Sequence, residues 1–388
     1  MKDRELLMIP GPIEFRPAVL AALGAPTTSH VAPDFIEVFG QALERMREVF
    51  LAPDGQPFIV AGSGTLAMDL AGANLIEPGD KALVVNTGYF GDRYGELLTR
   101  YGAEVTHVRA PVGGRPPLRD VEAELERGDY KLMTVTHVDT STGVVTDVKG
   151  LAELARSHGT LIVVDGVCSV AGEALYMQDW GVDVTFTASQ KAIGTPPGLA
   201  LLVAGKRAMD AFWARKTPVR NYYADWDNWL PIMEAYEERR PSYFGTPAVN
   251  LIAALNVSLG LILQEGMDAC FRRHALISRA CKTAIEALGL DQVPTSPEVA
   301  AATMTAPCFP KGVSGQELLA EIKTAGVVVA GGLHPKIKGE YFRIGHMGAV
   351  SQSDLLATIG AVEKGLAACG YDFQIGVGVA AAMQALAS

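Results

Sequence analysis

Short apolar runs alternate with helix-length segments over the first half of the chain, and this alternation limits the possible folds more than any other feature. Seven runs between residues 57 and 204 predict strands: PFIVAG, KALVVN, AEVTHV, KLMTVTHV, TLIVVD, VDVTFTA and GLALLVA. Segments such as TLAMDLAGANLI and DVKGLAELARSHG lie between them and predict helices. Apolar strands separated by helices form mainly parallel sheets that are covered on both faces. We therefore predict an α/β fold whose ligand site lies at the carboxyl ends of the strands.

The pattern changes in the second half of the chain. A long helical run follows Thr246, and further on fewer strand patterns accompany two clear helical ones, GQELLAEIKTAG and QSDLLATIGAVEKGLAACG. We predict an N-terminal segment over residues 1–20, a large domain over 21–262 and a smaller α+β C-terminal domain over 263–388. The segment 214–247 is rich in aromatic and charged residues and predicts an elaborated loop with short helices.

Composition narrows the possible partners and the compartment. The 388 residues carry a formal charge of −10, which argues against nucleic acid or an anionic membrane as a main partner. The five cysteines are widely spaced and form no C-x-x-C pair, so neither a disulfide framework nor a metal site is predicted. No signal or transit peptide, membrane-length apolar run or peroxisomal tripeptide is present, so we expect a cytoplasmic location.

Polar residues follow the predicted strands at the ends where a ligand would bind. Ser63-Gly64-Thr65 follows the first strand and opens a helix, where hydroxyls, backbone N–H groups and the helix dipole suit a phosphate. On this motif alone an ordinary N-cap is the favoured explanation, because Ser-Gly-Thr is short and common. Phe90 follows the second strand and Thr140 the fourth, where they can stack on a ring and donate to a ring oxygen, or merely pack and turn.

Asp165 and Lys191 follow two successive strands. A carboxylate at the end of a buried strand can cap the next turn, or it can hold the protonated nitrogen of a pyridinium ring. A lysine that leaves a half-buried strand into the loop GTPPG can be a surface residue, or its pKa can be lowered by desolvation so that it forms a Schiff base. Arg343, in YFRIGH, is either a carboxylate-binding fork or part of a salt bridge.

Taken in chain order, these residues belong to a recognisable set of motifs. The chain carries IPGPI, GSGTLAMD, THVDTSTGV, VVDGVCS, ASQKAIGTPPGL, YFGTP, VAGG and YFRIGHMG. It resembles the class V, fold-type I enzymes that use pyridoxal phosphate. Within them it is similar to the alanine–glyoxylate and serine–pyruvate aminotransferase group, especially its fungal alanine–glyoxylate members. The resemblance implies a seven-stranded large domain, a smaller C-terminal domain and a homodimer with shared active sites.

The resemblance also implies a role for each site residue. Lys191 would form the Schiff base with the cofactor, and Asp165 would pair with its pyridine nitrogen. Val167 would contact one face of the ring, and Phe90 would stack on the other face, where the family usually has Trp. The remaining positions are Thr140 at the ring 3-oxygen; Ser63, Gly64, Thr65 and Gln190 at the phosphate; Tyr243 and Thr246 at the phosphate of the neighbouring subunit; Arg343 at the substrate carboxylate; and Gly11 in the small-substrate pocket.

The predicted reaction is L-alanine plus glyoxylate to pyruvate plus glycine, with serine–glyoxylate or serine–pyruvate transamination as the alternative. A class V lyase such as a cysteine desulfurase is less favoured, because Gln190 stands where lyases have His and Cys308 lies in a strand-like run. The Asp165/Lys191 pair disfavours a non-catalytic scaffold. A nicotinamide dehydrogenase is disfavoured because no G-x-G-x-x-G follows a predicted strand. The amino donor and the pathway stay open.

Overall fold

The computed structural model describes residues 5–387, and its strands and helices alternate over the large domain. In the described range, the strands are β1 (Leu6–Leu7), β2 (Gln56–Ala61), β3 (Lys81–Asn86), β4 (Glu104–Arg109), β5 (Leu132–Thr136), β6 (Val138–Asp139), β7 (Val144–Val145), β8 (Leu161–Asp165), β9 (Val184–Ala188), β10 (Leu199–Ala204), β11 (Met304–Thr305), β12 (Val327–Val328), β13 (Ala330–Gly331) and β14 (Phe342–Gly345).

The helices of the same range include four that exceed fifteen residues. They are α1 (Pro17–Leu23), α2 (Pro33–Val49), α3 (Gly64–Leu75), α4 (Tyr89–Arg100), α5 (Leu118–Leu125), α6 (Val148–Ser157), α7 (Lys206–Trp213), α8 (Trp226–Glu237), α9 (Val249–Glu265), α10 (Met267–Ala287), α11 (Gly315–Thr324), α12 (Gln352–Ala368) and α13 (Val377–Ala387). A short 3-10 helix spans Pro297–Val299.

A seven-stranded sheet forms the centre of the large domain, with the strand order β2-β10-β9-β8-β5-β3-β4. All its strands run in the same direction except β10, which is antiparallel to both β2 and β9. The strands β3, β8, β9 and β10 are mainly apolar and are buried, since α3, α4 and α6 pack against the sheet, whereas the edge strand β4 is only partly buried. The prediction of a mainly parallel seven-stranded sheet covered by helices is confirmed.

The register of the sheet brings three strand ends together. Asp165, the last residue of β8, pairs with Thr136 at the end of β5 and with Phe186 in β9. The turn after β5, the end of β8 and the loop after β9 therefore lie side by side at the carboxyl edge of the sheet. The parallel strands β2 and β3 end at the same edge and lead into α3 and α4.

A second hydrophobic core lies in the C-terminal part of the chain. It is formed by buried side chains of α10, α11, α12 and β14, such as Ile277, Leu318 and Leu355. Beside it lies a small antiparallel sheet with the order β11-β14-β13. The run predicted as one long helix is two helices, α9 and α10, which meet at an angle of 84°. The break lies at Gly266, whose φ of 87° no helical residue adopts.

The N-terminal segment crosses between the two cores. Strand β1 pairs in parallel with β12, and Gly345 donates its backbone N–H to the Met8 carbonyl 2.8 Å away. Met8 is buried in the second core, whereas Ile13 is buried in the first and donates to the Gln190 carbonyl at 3.2 Å. Residues 1–4 of the predicted N-terminal segment, and Ser388 of the predicted C-terminal domain, lie outside the described residues.

The segment predicted as an elaborated loop contains one helix of twelve residues, α8, whose Trp226 and Tyr236 are fully buried.

Between residues 5 and 387, no single helix is long and apolar enough to cross a membrane; α9 and α10 meet that criterion only as a bent pair.

Candidate active site

A cavity of about 430 Å³ lies at the carboxyl edge of the sheet, between the sheet and the C-terminal part of the chain. Eleven of the residues predicted from the sequence line it: Gly11, Ser63, Gly64, Thr65, Phe90, Thr140, Asp165, Val167, Gln190, Lys191 and Arg343. Tyr243 and Thr246 do not line it. Both are exposed in this single chain, Tyr243 by 63%, and the Tyr243 ring packs against His30 with centroids 5.4 Å apart.

Lys191 is buried at the floor of the cavity, with 7% of its surface exposed. Burial lowers the pKa of its ammonium group, with an additional lowering from the charge of Arg343. Its Nζ donates to the Pro10 carbonyl of the N-terminal segment. A lysine that is buried away from water loses its proton more easily than a surface lysine, as a nucleophile or a base requires.

Asp165 is 2% exposed and accepts a hydrogen bond from the Val167 N–H at 2.9 Å. Burial raises the pKa of its carboxyl to about 7, and the neighbouring carboxylate of Asp139 adds to the rise. A cation placed next to this carboxyl would lower that pKa again and keep the group ionised. The site therefore suits a protonated nitrogen better than a neutral one.

The N-terminus of α3 forms one end of the cavity. Ser63 is the N-cap residue, yet its side chain accepts no capping hydrogen bond, so the simple N-cap explanation does not account for it. At Gly64, a Cβ would lie 3.2 Å from Val167 Cγ2, so the backbone lies close to the neighbouring loop. In the part of the chain that the structure describes, the buried Gln190 Oε1 has no hydrogen-bond partner.

These features fit the phosphate and ring of pyridoxal phosphate. The free N–H groups of a twelve-residue helix attract an anion. Rotation of the Gln190 amide, whose oxygen has no partner, presents its NH₂ to the same anion. Ser63, Gly64, Thr65 and Gln190 would hold the phosphate, while Asp165 would hold the ring nitrogen and Val167 and Phe90 the ring faces.

Asp139 is a buried residue beside the cavity that the sequence reasoning did not single out. It is fully buried, and its carboxylate accepts from the Phe90 N–H at 3.2 Å and from the N–H and hydroxyl of Ser141 at 2.8 and 2.6 Å. Ser141 Oγ in turn accepts from the Tyr89 N–H at 3.0 Å. Asp139 thus fixes the start of α4 and with it the Phe90 ring. Its place in the polar turn DTSTG, directly after a buried strand, was the available signal.

Arg343 reaches the cavity from the opposite side, on strand β14. Its Nε donates to the Gly331 carbonyl at 2.8 Å and its Nη1 to the Thr140 carbonyl at 3.1 Å. Among residues 5–387, no hydrogen bond engages its Nη2. The guanidinium is therefore oriented by backbone carbonyls and retains donors for a carboxylate in the cavity.

The cysteines are arranged differently from the lyase alternative. Cys308 does not line the cavity; its backbone pairs with Tyr341 beside β14. Burial raises the pKa of its thiol, the opposite of what a nucleophile needs. Cys168, which the sequence reasoning did not place at the site, lines the cavity and is 1% exposed. Met68 and Arg93 are further lining residues that were not predicted.

Comparison with known proteins identifies the family to which the chain belongs. The family model described as aminotransferase class V matches residues 19–350. Alanine–glyoxylate aminotransferase 1 of Saccharomyces cerevisiae is 39% identical over 363 residues, which cover 90% of this chain and 94% of that protein. L-aspartate–glyoxylate aminotransferase of Paracoccus denitrificans is 32% identical, covering 99% of this chain and 96% of that protein.

A solved structure extends the similarity to the fold of the whole chain. Ureidoglycine–glyoxylate aminotransferase of Bacillus subtilis superposes with a TM-score of 0.94 at 26% identity. The match covers 100% of this chain and 99% of that chain. The three proteins share glyoxylate in their names and differ in the amino donor that each name gives.

Proposed function

The chain belongs to the class V aminotransferases, and from this premise we propose that it transfers the amino group of L-alanine to glyoxylate, forming pyruvate and glycine. It is a fold-type I enzyme that depends on pyridoxal 5'-phosphate. When bound, the cofactor supplies an aldehyde that takes up the amino group and an electron-withdrawing ring that eases loss of the donor's α-proton.

The contact between the N-terminal segment at Gly11 and Lys191 is the observation that supports a small amino donor. Gly11 has a φ of 109°, and a Cβ at this position would lie 2.5 Å from Lys191 Cδ and 2.8 Å from Cε. The N-terminal segment therefore lies directly on the lysine side chain and limits the space on that side of the reacting group. Alanine, with a methyl side chain, suits such a site, and the similarity to the yeast alanine–glyoxylate enzyme supports the same donor.

Three side chains of the protein would bind the substrate, transfer the proton and hold the cofactor ring. Arg343 would bind the carboxylate of the donor and then that of the acceptor, which fixes the α-carbon relative to Lys191. The Lys191 amine, whose pKa is lowered by burial, would accept the α-proton and return it to the acceptor side. Asp165 would keep the ring nitrogen protonated, and the apolar wall with Val167 excludes water from that side.

The alternative donors are serine and aspartate. Serine is the donor of the alternative predicted from the sequence, and aspartate is named in the Paracoccus denitrificans relative. A panel of alanine, serine, aspartate and ureidoglycine, each paired with glyoxylate and all except alanine also paired with pyruvate, tests the proposal with the purified enzyme. We expect the alanine–glyoxylate pair to give the highest kcat/KM, measured as pyruvate and glycine formed.

A higher kcat/KM with serine or aspartate would overturn the alanine assignment and leave the transaminase chemistry intact. Absence of amino transfer with every pair would overturn the proposed function as a whole.

We also propose that two copies of the chain share their active sites. Tyr243 and Thr246 are exposed in the single chain and carry the polar groups that the resemblance places on the partner's phosphate. Mixing inactive Lys191→Ala protein with an inactive Tyr243→Phe/Thr246→Ala variant should then restore activity in mixed dimers, since one of their two sites is intact. A concentration-independent, fully active monomer in sedimentation would contradict the proposal.

A further inference from the structure

Tyr341 is a fully buried tyrosine that the reaction, as described above, does not use. It stands immediately before strand β14, two residues from Arg343. Its hydroxyl accepts hydrogen bonds from the N–H groups of Leu333 and His334, both at 2.9 Å, and donates to the Ser141 carbonyl. A phenolic hydroxyl has one donor and two acceptor sites. All three are occupied, so the phenol oxygen has a defined position.

Arg343 uses the same two segments. Side chains two residues apart on a strand point to the same face. Arg343 donates to the carbonyl of Thr140, and Tyr341 donates to the carbonyl of the next residue, Ser141. Arg343 also binds the Gly331 carbonyl, at the start of the 331–334 loop that Tyr341 holds through its two N–H groups. The side chains of Tyr341 and Arg343 therefore both bind the turn at residues 140–141 and the 331–334 loop.

The turn at Thr140 and Ser141 also carries groups that line the cavity or hold its lining residues. Thr140 lines the cavity, and Asp139 and Ser141 hold the start of α4 through the N–H groups of Phe90 and Tyr89. The 331–334 loop packs directly on the phenol ring, since a Cβ at Gly332 would lie 2.7 Å from Tyr341 Cε1. Loss of the hydroxyl would free both the turn and the loop to shift, and Arg343 would shift with the carbonyls that orient it.

We propose that Tyr341 is a positioning residue for the carboxylate-binding guanidinium of Arg343. It acts through the Ser141 carbonyl and the 331–334 loop, and it touches neither substrate nor cofactor. The inference rests on the proposed role of Arg343 in binding the substrate carboxylate. It predicts that removal of the hydroxyl weakens recognition of the carboxylate and leaves the chemistry at Lys191 accessible.

The test compares two reagents that differ in one carboxylate. Aminooxyacetate and methoxyamine both carry a reactive aminooxy group, and only the first has a carboxylate for Arg343 to bind. Each is mixed with the cofactor-loaded enzyme, and its rate is followed as the change in the cofactor's visible absorbance. The ratio of the two second-order rate constants measures carboxylate recognition and cancels general losses of reactivity.

Tyr341→Phe should lower this ratio by about 10- to 100-fold, the size of effect produced when a binding group is misplaced by about 1 Å. Cofactor affinity, measured by titration of the apo protein, should fall by less than the ratio does, because the phosphate and nitrogen ligands lie outside the turn and the loop that Tyr341 holds, and only Thr140 and Phe90 would shift with them. Tyr371→Phe is the matched control, since its hydroxyl donates to the Leu288 carbonyl at 3.2 Å, and Tyr371 does not line the cavity. It should leave the ratio unchanged.

A double-mutant cycle tests whether Tyr341 acts through Arg343. In an Arg343→Gln background, Tyr341→Phe should have no further effect on the ratio. An unchanged ratio in the single variant, or an equal fall in both rates, would overturn the proposal. Tyr341→Met, whose flexible side chain can fill the space, serves as the second variant. If neither variant folds, Tyr341 is a structural residue and the proposal is equally overturned.

The proposed function is tested separately by the donor and acceptor panel. If the wild-type enzyme transfers no amino group but its ratio falls with Tyr341→Phe, the positioning inference stands and the proposed reaction fails.

Discussion

At the carboxyl edge of the sheet, the register of parallel strands sets the positions of Asp165 and of the loop that carries Lys191. On the opposite side of the cavity, hydrogen bonds to the backbone carbonyls of Thr140 and Gly331 set the position of the Arg343 guanidinium. We call these two sides the large-domain wall and the small-domain wall. On the large-domain wall, burial alters the pKa values of the reactive groups. On the small-domain wall, contacts between distant segments orient a charged group. The comparison teaches that reactivity in this enzyme follows from desolvation, while recognition follows from the arrangement of separate elements.

The largest effect should come from the large-domain wall. Lys191→Ala removes both the nucleophile and the proton carrier, so we expect kcat to fall by at least about 10⁴-fold. After borohydride reduction, mass spectrometry should find the cofactor attached to wild-type protein and not to the variant. Lys206→Ala is the control, because Lys206 lies on the surface and pairs with Asp210 at 2.8 Å. Substantial activity in Lys191→Ala would show that another group performs the chemistry assigned to Lys191.

On the small-domain wall, Arg343→Lys should cost about 2–5 kcal/mol of transition-state binding, because the charge stays and the two-pronged geometry is lost. This corresponds to a fall of roughly 30- to 5000-fold in kcat/KM. Both the donor and the glyoxylate half-reactions should suffer, since both carboxylates would use the same guanidinium.

The cofactor's absorbance should stay nearly unchanged in Arg343→Lys, and Arg100→Lys, on the exposed face of α4, should retain full activity. A changed spectrum with normal kinetics would mean that Arg343 interacts with the cofactor and does not bind the substrate carboxylate.

The smallest effect concerns the cost of burying Asp165. Folding of the apo protein raises the pKa of this carboxyl from 3.8 to about 7. The protonated form is therefore favoured by folding, and the stability that it contributes below pH 3.8 is lost as the pH rises through about 7. Asp165→Asn removes this dependence, and the amide oxygen can still accept from the Val167 N–H.

The free energy of unfolding of apo Asp165→Asn, minus that of apo wild type, should thus be about 2–3 kcal/mol higher at pH 8 than at pH 5, so the variant gains relative stability as the pH rises. Chemical denaturation at the two pH values measures it, and the loaded variant should have lost most of its activity. An equal difference at both pH values would show that Asp165 is not desolvated in the way the structure indicates.

Much of the large-domain wall could be predicted from the sequence. Strand patterns are local, and a parallel sheet places its strand ends at one edge, so Asp165 and Lys191 were predicted to meet there. Sequence also indicated the apolar strands themselves and the helix after Ser63-Gly64-Thr65. The roles of the residues came from the motifs, whose chemistry is carried by a few side chains at strand ends.

The remainder depended on tertiary structure. The pairing of β10, antiparallel between β2 and β9, is not visible in its apolar pattern. The helical run after Thr246 reads as continuous, yet it breaks at Gly266, and the chain then runs from the first core, which holds Leu259 and Phe271, to the second, which holds Ile277. Asp139 resembled an ordinary turn residue until its contacts with the start of α4 were seen.

By itself, the sequence determined most of the strand-and-helix order and the mainly parallel sheet, because these follow from periodicity within short stretches of chain, and its motifs identified Asp165 and Lys191 as the reactive pair. Only the tertiary structure decided that Gly11 lies on Lys191 and that Arg343 and Tyr341 hold the turn at Thr140 and Ser141. These contacts join residues about 180 to 200 positions apart, and each depends on how two separately packed cores meet. No local sequence pattern determines how the two cores pack against each other, since the free energy of that packing is the sum of many contacts across both cores.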